Sequence, residues 1–111
     1  MKSFRAALRG LLIAVRRERH MKIHMAAAAA VLTAAYLLEA EPRDWCVLII
    51  TCALVMAAEL FNTAVERLCD KIDADECPYI KDVKDIAAGA VLLCAAAAVI
   101  AGIIIFWRLI F

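Results

Sequence analysis

Glycine is nearly missing from this chain. Its 111 residues contain three, Gly10, Gly89 and Gly102, and none belongs to a GxxxxGK[ST] or GxGxxG pattern. The usual glycine-rich loops that wrap backbone N–H groups around phosphates are therefore excluded. Proline is as scarce: Pro42 reads as a helix stop in a short acidic link over 39–44, and Pro78 lies inside a longer polar link over 71–82. Five cysteines are present (Cys46, Cys52, Cys69, Cys77, Cys94), but no two form a CxxC or a cysteine–histidine pair of metal-site spacing. They read as small apolar fillers rather than ligands or redox pairs.

What the chain has in excess is apolar surface. Hydrophobic residues make up 67% of it, against roughly half in an ordinary soluble domain. So small a domain has too high a surface-to-volume ratio to hide that excess from water, and a lipid bilayer is the obvious solvent. The length allows one domain, residues 1–111.

Net charge is only +1, but it is unevenly spread. Seven of the 13 basic residues precede the first long apolar run, where Glu18 alone opposes them. Because this basic segment leads straight into apolar sequence, it fits anionic lipid headgroups and gives no sign of a nucleic-acid partner. Its apolar stretch LLIAV is too short for a signal peptide, and no clean cleavage site follows. Helical spacing puts Phe4, Leu8, Leu11 and Val15 on one face and Lys2, Arg5, Arg9 and Arg16 on another. This predicts an amphipathic helix over about 2–17, lying on the membrane surface.

Three apolar segments follow, each near the ~20 residues needed to cross a bilayer core. They predict spans at about 22–39, 45–68 and 84–108, helical because a span must satisfy its own backbone groups. The expected fold is an all-α integral membrane protein: one surface helix and three transmembrane helices. Three alternating spans place Tyr36, Trp45 and Trp107 toward one face, as interfacial anchors. The lysine and arginine excess lies on the other face, which sets the N-terminus in the cytoplasm.

The second span carries the chemistry. In AELFNTAVERLCD (58–70), Glu59, Asn62, Glu66 and Asp70 fall within roughly 80° of arc at ~100° per residue. Thr63 borders them. Glu59 lies about 21 Å of helix beyond Trp45, inside the hydrocarbon, and Glu66 about 10 Å further, near the cytoplasmic boundary. Asp70 reaches headgroups or water. A buried carboxylate costs at least ~2.5–3.5 kcal/mol, so the stripe needs a reason. Asn62 alone fits helix–helix glue. Two glutamates and an aspartate on one face fit it poorly, since like charges repel unless a cation or protons intervene. Glu18, Lys84 and Asp85 lie at the same boundary. Carboxylates such as Glu18 and Glu66 suit Mg²⁺, which prefers a few carboxylates plus phosphate oxygens; a lysine beside them suits a phosphate. Two other readings stand beside this one. A small cation-coupled transporter needs one deep carboxylate but has no use for a matched boundary set. A structural subunit needs no carboxylate at all.

AELFNTAVERLCD followed by KDIAAGAVLL resembles the signature of the small bacterial membrane lipid kinases, the prokaryotic diacylglycerol kinase and undecaprenol kinase family. The resemblance covers nearly the whole chain, from FRAALRG through ERHMKIH to the third span. It implies a homotrimer with active sites at the cytoplasmic interface, shared between neighbouring subunits, in the bacterial inner membrane. It also implies ATP as phosphoryl donor and Mg²⁺ as its metal. By position, Glu59 is then the catalytic base that meets the lipid, and Glu18 and Glu66 hold the magnesium. Asn62, Asp70, Lys84 and Asp85 support the nucleotide. ERHMKIH and KDIAAGAVLL look more like the Gram-positive branch, which favours undecaprenol; diacylglycerol is the alternative acceptor.

Overall fold

A computed structural model describes residues 2–73, 75 and 77–111. Met1, Ala74 and Glu76 lie outside the described residues. The described residues form four helices: α1 (Lys2–Arg17), α2 (Arg19–Leu37), α3 (Pro42–Ile72) and α4 (Pro78–Ile110). They make a slab of 51 × 36 × 19 Å. Since one helix with its side chains is ~10–12 Å across, the slab is less than two helices thick. α3 is its spine, packed along α4 on one side and against α2 on the other, while α1 touches α2 and α3.

α1 and α2 meet at Glu18, whose extended backbone (φ −102°, ψ 117°) breaks the helix. Ala14 and Met21 are buried on either side of this break. The apolar face of α1 is left open, with Phe4, Leu8, Leu11 and Leu12 exposed.

α2 ends in a hydrogen-bonded reversal. Glu39 N–H bonds to Tyr36 O at 3.2 Å and Ala40 N–H to Ala35 O at 3.0 Å, the pairing of a Schellman motif. Its left-handed position, normally glycine, is filled by Glu39 at φ 56°. Ala40 packs back on the cluster around Ala35, Leu48 and Ile105, so side-chain burial offsets the backbone strain. α3 then starts at once. Pro42 is an initiator here, not only the stop the sequence implied: its missing N–H is one the first turn does not need. Pro78 starts α4 in the same way, so the polar link expected over 71–82 shrinks to the residues between Ile72 and Pro78. Within it, Asp73 accepts N–H bonds from Asp75 (3.1 Å) and Cys77 (3.2 Å). These bonds, the Cys77 N–H foremost, hold its carboxyl below the usual carboxylate range.

α3 and α4 are each long and apolar enough to cross a membrane. The first expected span, about 22–39, falls on α2, which is not among such helices. At 19 residues it is short, and it spends its first turns on Arg19, His20, Lys22 and His24.

An ion pair closes each end of the α3–α4 pair. Lys84 Nζ lies 2.6 Å from Asp70 Oδ1 at one end. At the other, the Arg108 guanidinium binds the buried carboxylate of Asp44 and lies 3.7 Å from Glu41. Asp44 also accepts the N–H of Glu41 at 3.1 Å, closing the first turn of α3. About 39 Å of α3 separates the two aspartates and about 36 Å of α4 the two cations, at 1.5 Å per residue. Arg108→Ala is expected to lower the melting temperature in detergent clearly more than Arg108→Lys. It leaves Asp44 buried without its cation, and removing one partner of a buried pair is costly.

Candidate functional site

The buried positions of α3 include Asp44, Leu48, Val55, Glu59, Asn62 and Cys69, spaced by threes, fours and sevens as for one helix face. The polar stripe therefore shares the face that packs inside the bundle. Glu59 is 5%, Thr63 7% and Asn62 8% exposed, and Glu66 is half-buried. Intramembrane polar groups are expected to face protein rather than lipid, and these do.

The structure gives the stripe three separate contacts. At the deep end, Glu59 Oε2 is 3.4 Å from Nε2 of His24 on α2. One turn on, Asn62 Nδ2 donates to Glu66 Oε1 at 3.2 Å. The other end of that amide, Oδ1, is buried with no partner among the described residues. A buried acceptor without a donor costs free energy, and a cation or a ligand N–H or O–H would satisfy it. At the outer end, Asp70 meets Lys84 across from α3 to α4. From Glu59 to Asp70 the stripe climbs about 16 Å of helix.

Two expected members stand apart. Asp85 pairs with Lys81 at 2.8 Å along its own helix, with its side chain 64% exposed. Glu18 is half-buried at the α1–α2 break and its side chain caps no backbone N–H. Among the described residues no three of His, Cys, Asp or Glu gather as a metal site. Glu18 and Glu66 thus form no complete cage within one chain. The donor chemistry still fits a hard cation: Glu66 supplies carboxylate oxygens beside the unpartnered Asn62 oxygen. Magnesium needs only one or two protein carboxylates when phosphate oxygens supply the rest.

His24 is the contact that the sequence reading missed. It lies at the start of the first apolar run, where the sequence reading gave it no role. A histidine one turn and a half past Glu18, facing inward from an alanine-rich helix, was the available signal.

A family model described as prokaryotic diacylglycerol kinase matches residues 5–106. An undecaprenol kinase of Bacillus subtilis is similar, 39% identical over 105 residues, which cover 95% of this chain and 85% of that protein. A diacylglycerol kinase of Synechocystis sp. is 46% identical over 101 residues, covering 90% of this chain and 58% of that protein.

Asn62→Leu is expected to leave the stability of the ligand-free protein within roughly 1 kcal/mol of wild type, because it removes an unmet acceptor together with one hydrogen bond. Thermal unfolding in detergent measures this.

Proposed function

The chain belongs to the prokaryotic diacylglycerol kinase family and is a lipid kinase, and from that premise we propose that it phosphorylates undecaprenol. The γ-phosphoryl group of Mg-ATP passes to the lipid hydroxyl at the cytoplasmic face of the bacterial inner membrane. The observation that carries this reading is the stripe itself. It runs from a carboxylate buried among apolar helices, through Asn62 and Glu66, to a lysine at the end of the bundle. A lipid alcohol and a soluble nucleotide need just such a path between hydrocarbon and water. Undecaprenol is favoured by the relative that this chain matches over most of its length. Diacylglycerol is the second reading, favoured by the higher identity to a relative acting on it.

In this reading Glu59 takes the hydroxyl proton as general base; the hydroxyl oxygen bonds to the γ-phosphorus, and ADP leaves. Glu18 and Glu66 would hold the magnesium that accompanies ATP, which would supply positive charge to offset the phosphates. Asn62 fixes the Glu66 carboxylate through its amide N–H and offers Oδ1 to the nucleotide. Lys84, steadied by Asp70, neutralises charge on the transferring group, where catalysis is mostly positioning and electrostatics. Asp85 holds Lys81 nearby.

We further propose that α2 crosses the membrane as a third span, with the N-terminus cytoplasmic, and that three copies assemble. α4 leaves a face open for the assembly: Ile86, Leu92, Leu93, Ile100 and Ile104 on it are exposed, where lipid or a neighbouring copy can cover them. In such an assembly, a Glu18 and a Glu66 from different chains would serve one nucleotide.

The test is phosphate transfer from Mg-ATP in mixed micelles, with undecaprenol and diacylglycerol in parallel. Transfer to undecaprenol is expected, with Glu59→Gln slower by about 10² or more, the usual contribution of a general base. Preference for diacylglycerol would overturn the acceptor, and full turnover by Glu59→Gln would overturn the base. For the shared site, inactive Glu18→Ala and Glu66→Ala chains are expected to regain activity when mixed; no recovery would confine each site to one chain.

A further inference from the structure

His24 lies where two features meet. The first is its contact with Glu59: Nε2 to Oε2, 3.4 Å, with the imidazole 22% and the carboxylate 6% exposed. The second is an open-sided cavity of about 550 Å³ lined by α2, α3 and α4. Its walls are apolar, among them Ala28 and Val31 of α2, Val55 and Met56 of α3, and Ala98 and Phe106 of α4. His24 is the only lining residue with a nitrogen in its side chain. Glu59 stands one turn beyond Val55 and Met56 on α3, so the cavity leads along the bundle to the His24–Glu59 contact.

The cavity has the chemistry for a hydrocarbon tail and nothing to hold a polar head except at that end. A tail lying in it directs its hydroxyl to the carboxylate. Glu59 has no other described hydrogen bond or ion pair. A lone carboxylate on a flexible side chain would sample several rotamers, and base catalysis needs one.

We propose that His24 is a positioning residue of the transfer reaction. Its imidazole donates Nε2–H to Oε2 of Glu59 and holds the carboxylate at the head of the cavity, with Oε1 free for the lipid hydroxyl. This rests on the reading of Glu59 as base. The imidazole itself is unchanged in the step. The hydroxyl O–H bond breaks and Oε1–H forms; the oxygen bonds to the γ-phosphorus as its bond to ADP breaks. Glu59 later returns the proton to water. At 3.4 Å the contact is long for N–H···O, and catalytic hydrogen bonds of ligand-free enzymes commonly tighten when substrate arrives.

The test uses the shape of the donor. Glutamine places its amide nitrogen close to where histidine has Nε2. Asparagine places it near Nδ1, short of Glu59. Leucine fills the space with no donor. Kinetics with Mg-ATP and lipid alcohol in mixed micelles are expected to give His24→Gln a kcat within about threefold of wild type. His24→Asn and His24→Leu are expected to lose about tenfold to a hundredfold, as for small misplacements of a catalytic group, with KM for Mg-ATP unchanged. A merely structural role predicts instead that all three variants follow their melting temperatures.

Wild-type turnover by both His24→Leu and His24→Asn would overturn the proposal. Equal loss in all three, from folded protein still protected by Mg-ATP against heat, would also overturn it, because the donor would not suffice. If His24→Leu fails to fold, the glutamine–asparagine comparison decides. Glu59→Gln is run alongside. If it keeps turnover, the base reading has failed; if it is dead while His24→Leu is active, only the role of His24 has failed.

Discussion

Charge has to be kept at the ends of α3 and α4, and two ion pairs do this. Asp44 with Arg108 and Asp70 with Lys84 lie at opposite ends of the helix pair, and α4 between Ile86 and Trp107 carries no charge. Each pair joins different helices, so they fix the α3–α4 register as well as its limits. Once that register is set, the inward face of α3 is set too. Glu59, Asn62 and Thr63 can then be buried against protein instead of lipid, where their cost would be far greater. The geometry of the site follows from the two pairs at its limits, of which Lys84 with Asp70 also forms the outer end of the stripe.

The same register leaves apolar surface uncovered. A slab 19 Å thick cannot surround its own apolar helices, and α4 shows how much is left over: almost its whole length is open on one side. Lipid covers such a face without cost, so exposure alone does not require partners. The site adds a second reason. Among the described residues, Asn62 has a buried oxygen with nothing to bind, Glu18 caps no backbone N–H at the α1–α2 break, and no three-donor set forms. In the proposed assembly, a nucleotide and a neighbouring copy would meet all three together.

How much was visible beforehand depended on the range of the interaction. Helix periodicity places residues three or four apart on one face, so the stripe from Glu59 to Asp70 was legible, as were the apolar faces and the all-α class. Pairs between helices were not. Arg108 and Asp44 are 64 residues apart, and no local pattern announces them. Lys84 and Asp70 were both singled out, but each for a ligand and not for the other. Asp85 has a partner one turn before it, Lys81, which makes it less distinctive than its place beside Lys84 implied. His24 was hidden for a further reason. Hydropathy scores a histidine in an alanine run as a loss of membrane character, and the contact that explains it lies on another helix. The prolines misled in the opposite direction, because a proline that ends one helix can begin the next.

Fixed charges about 36–39 Å apart along two helices act as a ruler as well as clamps. A bilayer with a core of ~30 Å leaves both pairs in the headgroup layers. A thicker one would draw either Arg108 and Asp44 or Lys84 and Asp70 toward hydrocarbon, and a thinner one would strand apolar turns in water. Tilting or local deformation of the lipid relieves such mismatch at fractions of a kcal/mol per ångström. Acyl-chain length therefore bears on how deep Glu59 sits, and the membrane in which the protein is embedded becomes a participant in setting up its chemistry.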